Sequence, residues 1–405
     1  MLIVQKYGGT SVGTVERIQA VADRIAETVA NGSSVAVVVS AMGHTTDELV
    51  ALSSALTRGP SPREMDALLS TGEQISAALL SMALEVRGVR ARSFTGRQAG
   101  IETEPVFGSA RIATIHTEAL QMALSGGVVP VITGFQGYSG EDVTTLGRGG
   151  SDTTAVAVAA MLHADVCEIY TDVTGVFTTD PRLVKSARKL SEVSYDEMLE
   201  LANLGAQVLH PRAVENAKRY QVPLVVKSSF SKEEGTYVTE TSNLEQQSVV
   251  TGIAFEREVA RVALIGVSLQ KHGLAAVFGK LAREGVNVDV IVQSVVQTVD
   301  ADVSFTVRES DADKTLSLTR AMQEELSFRD LVLETGLAKV SIVGAGMISN
   351  PGVAARMFEV LAGNGIEIKM VSTSEIKVSC IIGESDMEKA VSVLHTAFLE
   401  SSPAV

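Results

Sequence analysis

Apolar residues fall into two alternating rhythms along the first ~230 residues of this chain. Leu2-Ile3-Val4 opens a short strand, and Val15, Ile18, Ala22, Ile25 and Val29 then recur at the three- and four-residue spacing of a helix. Val35 to Val39 is a continuous, mostly β-branched run, the character of a strand buried on both faces. Val128 to Ile132 and Val166 to Tyr170 repeat it, and Leu224-Val225-Val226 closes the series. Helices are expected between these runs, around 63–87, 152–163, 195–204 and 211–220, with Ser151-Asp152 as cap residues of the second. Strands and helices taken in turn predict an α/β domain. Residues 228–247 are polar without a long apolar period, which suits a linker or hinge.

Beyond that linker the pattern repeats. At an offset of 80 residues, Phe278, Leu281, Ala282 and Gly285 recur as Phe358, Leu361, Ala362 and Gly365. Val286-Asn287-Val288-Asp289-Val290 corresponds to Ile366-Glu367-Ile368-Lys369-Met370. Two copies of a βαββαβ unit of about 75 residues account for this most economically. Gly344-Ala345-Gly346 lacks the third glycine of a dinucleotide-binding turn, and the partner repeat has no counterpart.

Composition narrows the class. A chain of 405 residues, 45% apolar, is too long for one core and predicts two or three domains. A net charge of −14 with no offsetting basic patch argues against nucleic acid as a partner. No run of 18 uninterrupted apolar residues predicts a membrane span, and the first residues lead directly into a strand. Cys167 and Cys380 lie far apart in apolar surroundings and read as reduced core residues of a cytoplasmic protein. Six scattered histidines form no metal-ligand spacing, so no protein metal site is expected.

The chemistry begins where the first strand ends, at Lys6-Tyr7-Gly8-Gly9-Thr10-Ser11. A strand, a glycine turn and a helix N-terminus make a cradle for phosphate, with Lys6 as a point charge. It is not a Walker A loop, because Thr14 stands where the lysine should be. Alone, such a turn can be only a turn. A second glycine turn, Gly147-Arg148-Gly149-Gly150-Ser151-Asp152, again precedes a helix. Arg148 offers a planar fork to a carboxylate and Asp152 an acceptor to an ammonium, although the two could equally form a surface pair. Two anion sites in one domain suit a nucleoside triphosphate facing a small acid.

Five segments together carry a resemblance: Lys6 to Ser11, Ser40-Ala41-Met42, Ser70-Thr71-Gly72-Glu73, Gly147 to Asp152, and Thr171-Asp172-Val173-Thr174-Gly175-Val176-Phe177-Thr178-Thr179-Asp180-Pro181-Arg182. In order and spacing they resemble the aspartate kinases of the amino-acid kinase family. The second half resembles the paired ACT regulatory domains of that family's short, monofunctional branch. The resemblance implies an α/β sandwich over 1–230, a linker over 231–250, and ACT repeats over 251–335 and 336–405. It implies ATP-dependent phosphorylation of the L-aspartate side-chain carboxylate, which with a pKa near ~4 is ionised at neutral pH and needs no general base. Lys6, Gly8 and Gly9 are then expected to hold the phosphates, and Arg148 the α-carboxylate. Glu73 and Asp152 would take the ammonium, with Ser40, Thr46, Gly149, Gly150 and Ser151 completing the pocket. Thr171, Asp172, Phe177, Thr178, Asp180 and Arg182 would form the ATP edge, and Mg²⁺ would travel on the ATP phosphates.

The resemblance also implies a threonine or lysine effector, or both, near Asn287, Asp289 and Gln293 against Asn350, Gly352 and Val353. Homodimers through the ACT repeats are expected, with a separately translated regulatory chain as a variant of that plan. Three departures from the family pattern stand out, the first being that the loop to Phe278 is one residue shorter than that from Pro351-Gly352 to Phe358. Gln207 replaces a usual lysine, and Lys271-His272-Gly273 replaces a usual Pro-Gly turn. A kinase for another amino acid such as N-acetylglutamate, or a non-catalytic amino-acid sensor, are the alternatives.

Overall fold

The computed structural model describes residues 1–204, 208–240, 249–268, 273–295, 300–348 and 350–400. Gln207, Lys271 and His272 lie outside the described residues. The chain forms two compact units. The first contains β1 (Leu2–Tyr7), α1 (Val15–Ala30), β2 (Ser34–Val39), α2 (Thr45–Leu56), α3 (Pro62–Leu69), α4 (Thr71–Val86), β3 (Ala91–Phe94), β4 (Ile101–Thr103) and β5 (Ile112–Ile115). It continues through α5 (Glu118–Ser125), β6 (Val129–Thr133), β7 (Gln136–Ser139), β8 (Asp142–Thr145), α6 (Gly150–Met161), β9 (Val166–Thr171), β10 (Glu192–Ser194), α7 (Tyr195–Asn203), α8 (Pro211–Tyr220), β11 (Leu224–Ser228) and β12 (Thr236–Thr239).

Among the described residues its main sheet runs β10-β12-β11-β9-β1-β2-β6-β3, and β5-β4-β7-β8 form a smaller one. β1 lies inside the main sheet, parallel to β2 and β9. The apolar run of β2 is explained by cover on both faces. Val35, Val37 and Val39 pack with Ile18, Val21, Ala22 and Ile25 of α1 and Ala77, Leu80 and Leu84 of α4. α6 packs on β1, β2 and β9. Its run of small residues, Thr153 to Ala159, is buried throughout, as a helix enclosed on several sides requires. Strand alternation puts Tyr7 in the α1/α4 core and turns its neighbour Lys6 the other way, to where α6 begins.

The single helix expected over 63–87 is two, α3 and α4, meeting at Ser70, whose hydroxyl donates to Ala67 O at 2.8 Å. Together they are long and apolar enough to cross a membrane. Gly72, Glu73, Ser76, Ala77, Leu80, Ser81 and Leu84 of α4 are nonetheless buried within the unit, which makes it a core helix.

The second unit contains β13 (Gly252–Ser268), α9 (Gly273–Arg283), β14 (Ile291–Val295), β15 (Asp300–Arg308), α10 (Ala312–Arg320), α11 (Gln323–Leu326), β16 (Asp330–Val343), α12 (Val353–Gly363), β17 (Ile368–Thr373), β18 (Lys377–Gly383) and α13 (Met387–His395). Its sheet order, β14-β15-β13-β16-β18-β17, is symmetric about the β13/β16 pair. The repeat read from the sequence is visible directly, since α9 and α12 begin and end 80 residues apart. The expected α/β sandwich followed by α+β regulatory repeats is thus the fold.

The repeats are interleaved rather than consecutive. Gly252–Glu256 of β13 pairs with Lys339–Val343, while Arg261–Ile265 pairs with Asp330–Glu334. Ile253 accordingly packs in the core of the second repeat with Val340 and Ile342, and Val262 and Leu264 pack in that of the first with Phe305. A boundary at 335/336 therefore cuts through a continuous strand. Among the described residues, the start of β13 takes the fourth-strand place of the second repeat.

The 1–230 expectation needs a second correction. The segment Thr178–Arg188, and Leu204, belong to the second unit. Val184 is buried in the core of the second repeat, and Thr178 O accepts from Ile253 N at 2.7 Å.

Phe305 is fully buried and meets Phe278 edge-on, ring centroids 5.3 Å apart. Phe305→Ala should cost the second unit about 3–5 kcal/mol of stability. That loss would be read as a lowered urea midpoint, and an unchanged midpoint would remove Phe305 from the core.

Candidate active site

The ends of β1 and β2, helices α2 to α4 and the start of α6 enclose a cavity of about 790 Å³. Lys6, the last residue but one of β1, enters it from the sheet. Its ammonium lies 2.6 Å from Asp152 Oδ1, with side chains 11% and 13% exposed. A cation so far removed from water needs a partner, and the first turn of α6 supplies one. After β1 the chain is pulled tight. Gly8 N donates to Tyr170 O at 3.2 Å and Gly43 N to Gly9 O at 3.0 Å. A Cβ on Gly9 would stand 2.9 Å from Ala41 O, so only glycine lets these two loops touch.

Glu73 enters from α4. One carboxylate oxygen accepts from Ala41 N at 3.1 Å, while Oε2 is buried with no hydrogen-bond partner. Burial pushes its pKa up to about 7, only partly offset by its hydrogen bonds. Ser76 Oγ donates to Ser40 O at 2.7 Å, which fixes the end of β2 beside it.

The third wall is the loop before α6. Gly147 and Gly149 both take positive φ, 74° and 66°. A Cβ on Gly149 would fall 2.0 Å from His210 Cγ, which makes glycine obligatory there. Arg148 between them is exposed, lines the cavity and forms no ion pair with a described residue. Among the described residues, one cavity thus presents a guanidinium without an ion pair, a buried carboxylate with one oxygen lacking a hydrogen bond, and a lysine already charge-paired. Among the described residues, no group of three or more His, Cys, Asp or Glu side chains could hold a metal ion.

Of the residues singled out from sequence, Lys6, Gly9, Ser40, Thr46, Glu73, Arg148, Gly149, Gly150, Ser151 and Asp152 line this one cavity. Gly8 adjoins it, since a Cβ there would lie 3.4 Å from Lys6 Nζ. The expected ATP edge is divided. Thr171, Asp172 and Phe177 are in the first unit, where Thr171 Oγ1 donates to Asp172 Oδ1 at 3.1 Å. Thr178, Asp180 and Arg182 are in the second. Thr178 is 3% exposed, and its hydroxyl is 2.9 Å from His395 Nε2 and accepts from Arg188 N. Its side chain is thus hydrogen-bonded within the second unit. Asp180 is held by Arg182 at 2.7 Å, which lowers its pKa.

Asp289 lines a cavity of about 300 Å³ in the second unit with Lys339, Ser372, Lys377 and Ser379. Asn350, Gly352 and Val353 are at the start of α12, and neither they nor Asn287 and Gln293 line that cavity. Lys339 is buried and pairs with Asp289 and, at 2.7 Å, with Glu256. Burial opposes its charge, but the two carboxylates outweigh it and hold its pKa up.

Residues 1–228 match the amino acid kinase family, and residues 340–398 an ACT domain. An aspartokinase of Bacillus sp. (strain MGA3) is 58% identical over all of this chain and 98% of its own length. Aspartokinase 2 of Bacillus subtilis (strain 168) is 57% identical over 98% of this chain and 97% of its own. The chain belongs to the aspartokinases of the amino acid kinase family. Among solved aspartokinases, E. coli aspartokinase III in complex with aspartate and ADP is similar at 30% identity. That match has a TM-score of 0.81 over 99% of this chain and all of that one. The same enzyme with lysine and aspartate gives a TM-score of 0.75 at 30% identity, over 98% and 99%.

This aspartokinase site also contains residues that sequence reasoning missed. Gln136 Nε2 donates to Ser70 O at 2.7 Å, tying β7 to the α3/α4 junction. Arg212 donates to Leu146 O at 2.7 Å and to Ala110 O at 3.1 Å. Asp66 is fully buried among backbone donors. The one sequence signal was a carboxylate in the middle of α3, flanked by Met65 and Leu69 on its apolar side. His210 and Arg212 gave none.

Glu73 makes stability depend on pH. Its folded pKa is raised from 4.5 to about 7. The carboxyl is therefore harmless below the unfolded value, stability falls as pH rises from 4.5 to about 7, and the loss is complete above that. Without ligand, Glu73→Gln should raise stability at pH 8 by up to about 3 kcal/mol, read as a higher melting temperature, and leave the melting temperature unchanged at pH 4. A gain independent of pH would contradict this assignment.

Proposed function

We propose that this chain transfers the γ-phosphoryl group of ATP to the side-chain carboxylate of L-aspartate, giving 4-phospho-L-aspartate for lysine, threonine and methionine synthesis. The observation that carries this reading is that one cavity holds both the exposed Arg148 guanidinium and the buried Glu73 Oε2, neither with a partner among the described residues. An α-amino acid supplies a carboxylate to the first and an ammonium to the second. Asp152 Oδ1 is occupied by Lys6, which leaves Glu73 as the principal ammonium acceptor. N-acetylglutamate has no ammonium and would leave the Glu73 oxygen unsatisfied in a buried place. The complex of E. coli aspartokinase III with aspartate and ADP supports the same substrates.

Held at both ends of its α-carbon, aspartate directs its side-chain carboxylate toward Lys6. That nucleophile is ionised, so the obstacle is repulsion between two anions rather than removal of a proton. Lys6 and the backbone N–H groups of the Gly8-Gly9 turn neutralise charge on the phosphoryl group as it moves. Asp152 keeps Lys6 extended into the cavity. Mg²⁺ enters with the ATP phosphates, and Thr171 and Asp172 at the end of β9 border the nucleotide.

The second unit is the sensor. Its 300 Å³ cavity places Lys377, Ser372 and Ser379 beside the Lys339–Asp289 pair, a polar lining that suits an amino-acid effector. Threonine, lysine or both act there, and E. coli aspartokinase III in complex with lysine supports such an effector. The outer strand β14, with Ile291 49% and Val292 38% exposed, suits pairing into a homodimer. Both cysteines are free and buried, as suits the cytoplasm.

The reaction is tested by trapping the acyl phosphate with hydroxylamine. Hydroxamate should form with Mg-ATP and L-aspartate, and should be absent with N-acetylglutamate. Threonine or lysine should suppress it. Signal with N-acetylglutamate but not with aspartate would overturn the substrate. Arg148→Ala should raise the aspartate KM by about 10- to 100-fold, since one charge-assisted bidentate contact is lost.

A further inference from the structure

We infer that Asp66 is a positioning residue for aspartate binding, acting through the loop that carries Arg148; this rests on the role given to Arg148 above. Asp66 lies in the middle of α3 and is fully buried on the wall of the cavity. Its carboxylate accepts four hydrogen bonds. Oδ2 takes Thr145 N at 2.8 Å and Gly108 N at 3.0 Å, and Oδ1 takes Thr145 Oγ1 at 2.7 Å and Gly108 N at 3.0 Å. No lysine, arginine or histidine of the described residues pairs with it, so these donors alone keep a buried carboxylate satisfied.

Both loops that it grips lead to Arg148. Thr145 ends β8 three residues before Arg148. Leu146, next along, is fixed at both ends, its N–H on Phe135 O at 2.8 Å and its carbonyl on Arg212. Gly147 then packs against the other loop, for a Cβ there would stand 3.1 Å from Gly108 O. One carboxylate thus sets the spacing between the strand that ends at Arg148 and the loop it leans on. Two residues of positive φ, Gly147 and Gly149, flank Arg148 and give it little stiffness of its own. The direction of the guanidinium therefore depends on the anchors on either side.

Asparagine at 66 keeps the size but offers one acceptor oxygen, and turns an NH₂ group toward N–H donors. The loop would shift while Arg148 remained present. A double-mutant cycle on kcat/KM for aspartate separates this role from general structural support. Asp66→Asn should lower kcat/KM about tenfold in the parent, with the Mg-ATP KM changed less than about twofold. In an Arg148→Ala background the same substitution should cost less than about twofold. Equal factors in the two backgrounds, or a matching rise in the Mg-ATP KM, would overturn the inference while leaving Arg148 in its role. An Arg148→Ala variant with the parent's aspartate dependence would instead refute the reading of Arg148, and this inference with it. If Asp66→Asn fails to fold, Thr145→Val removes one of the four bonds and runs the same cycle, with an expected loss of about threefold in the parent alone.

Discussion

The site depends on a lysine that the strand pattern turns out of one core and into another helix's first turn. β1 alternates between the α1/α4 face, where Tyr7 is fully buried, and the α6 face, where Lys6 emerges. A cation at 11% exposure cannot be left alone, and Asp152 at 2.6 Å is what makes its place tolerable. The start of α6 is thereby fixed, with the positive-φ glycines before it and the contact of Gly149 with His210. The same pair presets the chemistry. A lysine already held extended by a carboxylate needs little reorganisation when a polyanion arrives, and preorganisation of this kind is where phosphoryl-transfer sites gain most.

Around that pair the cavity is assembled from carboxylates in three different states. Asp152 is matched by a cation, Asp66 by two backbone N–H groups and the Thr145 hydroxyl, and Glu73 by hydrogen bonds that leave Oε2 without a partner. The last has neither a charged partner nor a donor for its second oxygen, and burial raises its pKa. A buried group left short of a partner in a substrate cavity is completed by the ligand. An ammonium completes Glu73, as a carboxylate completes Arg148.

The second unit uses a different economy. Its repeats share β13 and β16 instead of standing end to end, so each needs the other's strand to close its sheet. The segment Thr178–Arg188 leaves the first unit just past Phe177 and packs into the second, with Val184 in its core and Thr178 bonded to the buried His395.

Much of this was legible in the sequence where the signal was local. The β-branched runs gave the strands, the period of α1 gave the helix, and the offset of 80 residues gave the repeated unit. Lys6, Glu73, Arg148 and Asp152 were found because glycine turns and a familiar motif order marked them. The remainder depended on contacts far apart in sequence. Asp66 meets Thr145 across 79 residues and Arg212 meets Leu146 across 66, with no motif at either end. Interleaving of the repeats was hidden because β13 and β16 each read as one strand, and pattern does not tell which sheet each half joins. Thr178 to Arg182 looked continuous with Thr171 and Asp172, although the chain changes unit between them. The most direct test of the central claim is kcat of Lys6→Ala at saturating Mg-ATP and aspartate, with the variant's fold checked by its thermal transition. A fall on the order of 10³-fold is predicted, because the charge matters most during transfer. An unchanged kcat with only a weaker ATP KM would contradict it, and would reduce Lys6 to a binding residue.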